Sequence, residues 1–281
     1  MHINLKQEVK RSNFAMFGIG MLVLLLIIAI FGPLLTPYQP HSQTPFAFEP
    51  PSFTHWLGTN HVGQDILSQL IYGARTSLLV GFLAALLAII LSAIIGTSAA
   101  LAGGLYDKIV MRIVDAFIVI PAIIVIILVA AYLKPNLLVL ILLLALLGWQ
   151  GGARTIRAQA LSLKEMGHIS AARSFGASNL YIISRHILPD LVPILVMEFI
   201  YGIRRAIFME AGLAFLGIAD PTTVSWGMMM HEALDFCYLN VWRWWLIPPG
   251  VALSLTILSV TGIGHTLEGA LDPRLRREAN A

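Results

Sequence analysis

Cysteine and charged residues are scarce in this chain. The single cysteine, Cys237, excludes an internal disulfide framework and a C-x-x-C metal or redox site. Charged residues make up 12% of the 281 residues, against about 25% in an average soluble domain. Apolar residues account for 58%. This balance is typical of a polytopic membrane protein, whose length does not translate into a number of soluble domains.

The chain also lacks the motifs of nucleotide binding and of common catalytic sites. It contains no G-x-x-x-x-G-K-S/T phosphate loop, the element that cradles ATP. It contains no catalytic metal motif and no nucleophile elbow either. We therefore expect a protein that is not an enzyme, holds no cofactor or metal ion of its own and binds no nucleic acid.

Long apolar runs take the place of these motifs. A transmembrane helix needs about 20 apolar residues, and inside lipid the backbone must pair its polar groups within the helix. The first run exceeds the apolar part of a signal peptide and no small-x-small cleavage site follows it, so we interpret it as a retained helix. The pattern predicts an all-α polytopic membrane protein with six transmembrane helices, at about residues 14–35, 77–102, 112–133, 137–158, 191–217 and 246–267.

Lysine and arginine are distributed unevenly between alternate loops. With the N-terminus placed in the cytoplasm, thirteen fall on the cytoplasmic side and three on the outer side. Because positively charged loops stay in the cytoplasm, both termini are predicted to be cytoplasmic. The cytoplasmic set is Lys6, Lys10, Arg11, Lys108, Arg112, Arg154, Arg157, Lys164, Arg173, Arg185, Arg274, Arg276 and Arg277, and the outer set is Arg75, Lys134 and Arg243.

These spans divide the chain into four parts. Residues 1–35 form a cytoplasmic tail and the first helix, and residues 36–75 form a proline-rich outer loop. Residues 76–267 form a five-helix core, and residues 268–281 form a cytoplasmic tail. Within the outer loop, residues 61–72 are predicted to form a helix on the membrane surface.

Small residues recur at every fourth position of the second span. This spacing places them in one narrow stripe, where another helix can approach closely. The stripe therefore predicts a helix-packing seam, formed by Ala84, Ala88, Ser92, Gly96, Ala100 and Gly104.

Residues 159–189 form a polar segment between apolar runs. Gly176 permits a sharp turn between two helical stretches, at 164–173 and 180–186, and Pro189 ends the second and marks the start of the fifth span. From the residues alone, two interpretations remain open. The segment is either a rigid element that transmits a push from a cytoplasmic partner, or an ordinary basic loop held near anionic lipid.

The same segment resembles the EAA loop of ABC importer permeases, whose pattern is Glu-Ala-Ala, Gly and Ile-x-Leu-Pro at fixed spacing. Ala171, Ala172, Gly176, Leu188 and Pro189 fall in register with that pattern. Further motifs resemble the C-type permease subunit of the dipeptide/oligopeptide/nickel branch, at residues 57–59, 63–65, 72–78, 210–217, 225–227 and 271–276. Two residues depart from the EAA pattern: Ser170 replaces its glutamate and His186 replaces its isoleucine.

The resemblance implies a permease of the type I ABC importer kind in a cell inner (plasma) membrane. Its partners would be a second permease subunit, two cytoplasmic ATPase subunits that bind ATP and Mg, an extracytoplasmic substrate-binding protein and the lipid bilayer. It also implies which residues couple to the ATPase, namely Ser170, Ala171, Ala172, Gly176, Ala177, Leu188 and Pro189.

The sequence indicates the identity of the cargo less closely than the class of transporter. The family moves peptides, nickel or its chelates, and some oligosaccharides; we favour di- or oligopeptides, with nickel or a metal chelate second. A different class, the ion-coupled secondary transporter, would need an ion site near the membrane midplane built from broken helices. Pro121 and the charges of the fifth span could serve that class, but the motif at 170–189 argues against it.

The fifth span carries four ionisable residues, Glu198, Arg204, Arg205 and Glu210. An ionised residue at the centre of a membrane helix costs about 2.5–3.5 kcal/mol, so such residues face protein or water. In one interpretation Arg204 or Arg205 lines the translocation path and meets an acidic group on the cargo. In the other, the residues form a structural ion pair, such as Glu198 with Arg205, or contact the partner permease.

A cluster of soft ligands lies in the second outer loop, with three consecutive methionines at 228–230, His231 and Cys237. Thioether, imidazole and thiol groups bind transition metals. However, consecutive methionines point in different directions, and methionine also serves as an adaptable apolar contact. We therefore favour contact with a protein partner over a metal site.

Overall fold

The computed structural model describes residues 13–133 and 136–271. Within these ranges the secondary structure is helical and no named strand forms, which confirms the predicted all-α class for this part of the chain. Most of both predicted tails lies outside the described residues. So do Lys6, Lys10, Arg11, Lys134, Arg274, Arg276, Arg277 and the motif at 271–276 beyond its first residue.

The helices are numbered in chain order, and most of them belong to long apolar segments. They are α1 (Asn13–Leu35), α2 (Ile66–Ala102), α3 (Gly104–Val119), α4 (Ala122–Leu133), α5 (Leu137–Leu146), α6 (Gln150–Lys164), α7 (Gly167–Ser174), α8 (Asn179–Ile182), a π-helical turn (Ile183–Ile187), α9 (Leu188–Phe215), α10 (Trp226–Leu234), α11 (Trp242–Trp245) and α12 (Ile247–Leu271).

Three segments of the described chain are long and apolar enough to cross a membrane: α1, α2 and α11 with α12. The number rises to five if the bent pairs α3–α4 and α5–α6 each count as one span. The predicted fifth segment, 191–217, lies mostly in α9, whose five charged residues exclude it from this count. The structure thus supports a multi-pass membrane protein without reaching the predicted six helices.

The predicted surface helix at 61–72 is wrong, because its helical part belongs to α2. The Asp65 carboxylate caps the start of α2, where it accepts a hydrogen bond from the Ser68 backbone N–H at 2.8 Å. No proline interrupts the chain from Ile66 to Ala102. The resulting helix of 37 residues is about 55 Å long, well beyond the thickness of the hydrocarbon core.

The third and fourth predicted spans are each broken into two helices. The axis bends by 74° between α3 and α4, where Pro121 follows the extended Ile120; proline disfavours helical geometry in the residue before it. The axis bends by 41° between α5 and α6, and Gly148 lies at that bend, a residue type found at sharp helix kinks.

Pro189 does not end the second short helix, so that prediction is wrong. Helix α8, the π-helical turn and α9 follow one another without a break, and the Leu188 N–H donates to the Ile183 carbonyl. The wider π turn accommodates Pro189, which has no N–H to donate to the preceding turn. Helix α6 continues to Lys164, six residues beyond the predicted end of the fourth span at residue 158.

The long helix α2 lies at the centre of the bundle and packs against α1, α5, α6 and α9. One end of the bundle carries residues 36–65 and 216–246, and we call it the loop face. The other end carries residues 165–187, and we call it the linker face. There the Lys164 ammonium donates to the Ala100 carbonyl at 3.1 Å, which joins the ends of α6 and α2.

Candidate translocation cleft and linker face

A tight turn at Gly176 joins the two short helices of the linker face. Gly176 has φ +82°, the left-handed region in which a side chain is strained. Its N–H donates to the Arg173 carbonyl at 2.9 Å, and the Ala177 N–H donates to the Ala172 carbonyl at 3.1 Å. This pair of bonds is the Schellman arrangement that ends helices at a glycine. The sequence prediction of a turn at Gly176 is confirmed.

Isoleucine side chains anchor the linker face to the bundle. Ile169, Ile182 and Ile187 are fully buried and pack in one cluster with residues of α2 and α6. The opposite surface is apolar and open, with Phe175 91% exposed and Leu180 75% exposed. The segment therefore has one face fixed on the bundle and one apolar face that no other described residue of the chain covers.

The residues predicted to couple to an ATPase surround this open surface. Most are exposed, and the others are half-buried beside them. Ser170, Ala171, Gly176 and Pro189 are exposed, whereas Ala172, Ala177 and Leu188 are half-buried. Their placement leaves the role of each a prediction.

The two helix bends line a cleft of about 530 Å³. Its wall is mostly apolar and includes Ala84 and Ala88 of α2 and Pro121 at the first bend. Arg205 of α9 also lines the cleft, and its guanidinium donates to the Gly148 carbonyl at the second bend, at 3.4 Å. The cleft thus presents a cation in largely apolar surroundings.

The two neighbouring arginines of α9 point to different places. Arg204 lies away from the cleft lining, with its guanidinium 5.3 Å from the centre of the Tyr201 ring. The Tyr201 hydroxyl donates in turn to Glu268 of α12 at 2.7 Å. Arg205 therefore fits the path interpretation, and Arg204 fits the structural one.

The predicted pair of Glu198 with Arg205 is not formed as an ion pair within 4.0 Å in the described part of the chain. Both residues line one small cavity of about 20 Å³, together with Ser92 and Gly152. They are thus neighbours whose charged groups do not touch.

Glu210 is separate from the other three ionisable residues. It lies near the loop face, is 2% exposed, and accepts a hydrogen bond from the Ser77 hydroxyl of α2 at 3.1 Å. The Ser77 hydroxyl also accepts a hydrogen bond from the Trp226 backbone N–H at 3.4 Å. The geometry places Glu210 at a junction of α2, α9 and α10 and outside the cleft lining.

The stripe of small residues on α2 faces α6. A side chain at Gly96 would lie 2.7 Å from the Ala153 carbonyl, and the Ser92 hydroxyl donates to the Trp149 carbonyl at 2.7 Å. Ala84, Ala88 and Ala100 are buried as well. Gly104 does not belong to the stripe, because α2 ends at Ala102 and Gly104 begins the next helix.

Two ion pairs between α3 and α6 were not predicted from the sequence. Arg157 donates to both carboxylate oxygens of Asp107, each at 2.5 Å, and Arg154 pairs with Asp115. The partners are about 40–50 positions apart in sequence. A single sequence contains no periodic signal for contacts of this separation.

The methionine cluster is part of the core. Met228 and Met229 are buried in α10, and the His231 ring bonds to the Phe215 carbonyl at 2.9 Å. Cys237 is exposed. Among residues 13–133 and 136–271, no group of three or more His, Cys, Asp or Glu side chains is arranged to hold a metal ion.

Comparisons with known proteins agree over nearly the whole chain. Residues 89–277 match the family described as binding-protein-dependent transport system inner membrane component, and residues 7–51 match the N-terminal TM domain of oligopeptide transport permease C. The dipeptide transport system permease protein DppC of Bacillus subtilis is 35% identical over 273 residues, covering 96% of this chain and 85% of that protein.

Two further relatives have similar sequence identities and similar coverage. The oligopeptide transport system permease protein OppC of Bacillus subtilis is 34% identical over 271 residues, covering 95% of this chain and 88% of that protein. A putative peptide transport system permease protein of Brucella abortus is 38% identical over 267 residues, covering 93% of this chain and 89% of that protein. Each alignment extends over most of both chains.

Proposed function

The chain belongs to the family of binding-protein-dependent transport system inner membrane components, and we propose that it forms half of the translocation path of an ATP-driven importer of di- or oligopeptides. The peptide cargo is supported by the relatives, which are named as dipeptide, oligopeptide and peptide permeases. A cationic group in an apolar cleft suits the carboxylate that such a cargo carries.

One observation carries the proposal. The helical segment from Asn179 to Phe215 joins the exposed linker face to the cleft without a break. Arg205 of the cleft lies on the same continuous segment as the exposed Leu180. Because a continuous helix moves largely as one body, displacement at the linker face would be passed to the cleft.

The proposal assigns a partner to each end of the bundle. The linker face contacts one of two ATPase subunits in the cytoplasm, which bind ATP and Mg, and the loop face meets an extracytoplasmic binding protein. A second permease subunit completes the path, and both termini are cytoplasmic in an inner membrane. Support comes from the family and from the excess of lysine and arginine on the linker side.

Six membrane crossings fit this arrangement if α9 is counted as a span. Three of the four ionisable residues within 191–217 lie against protein: Glu210 is buried, Arg204 contacts Tyr201, and Glu198 lines a small cavity. Arg205 lies in the cleft. Ionisable residues placed in this way are tolerated within a membrane bundle.

Broken helices around the cleft would suit an ion-coupled transporter. The cleft lining, however, contains Arg205 and no carboxylate. A site for a coupling cation needs oxygen ligands and repels a guanidinium. The cleft chemistry thus favours cargo with an acidic group.

The decisive test is uptake into proteoliposomes. The permease pair with its ATPase subunits and binding protein should accumulate a labelled dipeptide only with ATP and Mg present. The same membranes without the ATPase subunits should show no accumulation. ATP-independent uptake driven by an ion gradient would contradict the proposal.

A further inference from the structure

The loop face contains buried polar atoms that lack hydrogen-bond partners. Within residues 13–133 and 136–271 there are four such side-chain atoms, and all lie on or beside this face: His61 Nδ1, Gln69 Oε1, Trp244 Nε1 and Trp245 Nε1. Buried polar atoms are normally paired, so each exception needs a reason. Two of these side chains, His61 and Gln69, line the same cavity of about 200 Å³.

The orientation of the Gln69 amide is fixed by its neighbours. Its Nε2 donates to Gln64 Oε1 at 2.8 Å and to the Pro40 carbonyl at 3.4 Å. Gln64 Oε1 is itself held as an acceptor by the Asn60 amide at 2.9 Å. Reversing the Gln69 amide would place its oxygen against two other acceptors, Gln64 Oε1 and the Pro40 carbonyl oxygen. Gln69 Oε1 is therefore an unpaired acceptor, on a residue only 3% exposed that lines the cavity. The oxygen itself has almost no exposed surface, so a group in the cavity reaches it only after a small shift of the side chain.

Glu232 of α10 lines the same cavity and carries a second acceptor group. Within the described ranges its carboxylate makes no ion pair closer than 4.0 Å. Burial raises the pKa of Glu232, and the nearby His231 opposes this shift. A desolvated carboxylate without a cation is stabilised by any cation that reaches it.

The remaining wall suits a cation attached to an apolar group. His61 packs beside Phe236 and Trp245, with ring centres 5.1 and 5.5 Å away, and those two rings also contact each other. Burial lowers the pKa of His61, with Asp235 opposing. Met228 and Met229 provide an apolar side.

We propose that this loop-face cavity binds a primary ammonium group, held between Gln69 Oε1 and the Glu232 carboxylate. A bare metal ion would fill little of about 200 Å³, and the described residues offer it no cluster of ligands. A quaternary ammonium has no N–H to donate to Gln69. A primary ammonium supplies the charge, three donors and an attached apolar group.

The source of the ammonium group rests on the proposed function. A peptide has a primary ammonium at its amino terminus, and a lysine side chain has another. The cavity lies on the face that would receive cargo from a binding protein. It would therefore hold one of these two groups as the cargo enters.

The binding test uses the importer complex in lipid nanodiscs and n-butylammonium as the probe. Calorimetric titration should detect binding to the wild type, and Glu232→Gln should weaken it about tenfold or more, the effect expected for a lost charge-assisted hydrogen bond. Glu49→Gln makes the same change on the loop face outside the cavity and should leave binding unchanged. Glu232→Asp keeps the charge and should retain most of the affinity, which excludes misfolding as the cause.

Three results would overturn the proposal. They are no binding by the wild-type complex, equal binding by Glu232→Gln, and equally effective competition by tetramethylammonium, which lacks N–H donors. The first result would mean that the acceptors do not form a binding site. Either of the other two would mean that the cation is attracted to the protein without a specific contact at Glu232 or Gln69.

Uptake experiments distinguish the two sources. If the amino terminus occupies the cavity, wild-type proteoliposomes should import alanyl-alanine better than its N-acetyl derivative, and Glu232→Gln should remove that preference. If a lysine side chain occupies it, N-acetyl-alanyl-lysine should be preferred over N-acetyl-alanyl-alanine instead. Absence of any ATP-dependent peptide uptake by the wild type would contradict the proposed function, while the butylammonium titration would still decide whether the cavity is a site.

Discussion

The linker face and the loop face differ in what they bury and what they expose. At the linker face, apolar side chains such as Phe175 and Leu180 are exposed on short, capped helices. At the loop face, polar side chains such as Asp65 and Gln69 are buried in a hydrogen-bonded network. An exposed apolar surface suits a protein partner, whereas buried acceptors suit a small polar ligand.

The two faces also differ in how they are held. Side-chain hydrogen bonds connect distant parts of the loop face, such as Thr59 with the Phe46 carbonyl at 2.8 Å and His55 with Asp65 at 3.0 Å. The linker face is held mainly by isoleucine packing and by one weak pair, His168 with Asp190 at 3.6 Å. Apolar packing is non-directional, so we expect the linker face to shift more readily than the loop face.

The largest effect is expected from Gly176→Val, which acts on the linker face alone. A β-branched residue at φ +82° is strained, and we expect ATP-driven uptake to fall about tenfold or more while ATP hydrolysis continues. The control is Gly167→Val, on the same face, in open space and without a positive φ. Normal uptake by Gly176→Val would mean that the turn does not matter for coupling.

The next effect concerns the cleft between the two faces. Arg205→Ala should raise the KM for a dipeptide about tenfold, the cost of one charge-assisted hydrogen bond. Arg204→Ala is the matched control, because its guanidinium stacks on Tyr201 outside the cleft lining. Both complexes should remain assembled on a sizing column. Equal effects of the two substitutions would argue against a cargo contact at Arg205.

A smaller effect is expected from the ion pair that ties α3 to α6 near the linker face. Asp107→Arg should lower the stability of the complex by about 1–2 kcal/mol, since the pair is only partly exposed. The double variant Asp107→Arg with Arg157→Asp should recover most of the melting temperature. A double variant as unstable as the single one would show that the pair itself contributes little.

The smallest effect is expected at Ser170, the position at which the EAA pattern has glutamate. Ser170 is exposed on the linker face, and substitutions at exposed positions change free energies by about 0.5 kcal/mol. Ser170→Glu should therefore change the ratio of peptide imported to ATP hydrolysed by no more than about twofold. A much larger change would mean that the side chain is buried against the ATPase subunit.

Features set by local chemistry could be predicted from the sequence. Apolar runs gave the helical class, and the four-residue spacing placed Ala84 to Ala100 on one packed side of α2. Gly176 occupies the positive φ that its position between two polar helices indicated. Each of these depends on neighbours within a few turns along the chain.

Features that depend on distant contacts could not be predicted. Nothing in the sequence indicates that Arg157 meets Asp107, or that Gln69 meets Gln64 with one oxygen left unpaired. Proline was also misjudged in both directions. Pro121 breaks a predicted span, whereas Pro189 is absorbed by a π turn inside a continuous helix.

The central claim is that the helix from the linker face to the cleft moves as one body, and pulsed electron spin resonance tests it directly. With Cys237 replaced by serine, spin labels at Ser184 and Phe208 would be about 36 Å apart along the helix, and a second pair would join Phe208 to Ile94 of α2. All three positions are exposed. On ATP binding, the account predicts an unchanged distance from 184 to 208 and a changed distance from 208 to 94. A change between 184 and 208 with none between 208 and 94 would contradict it.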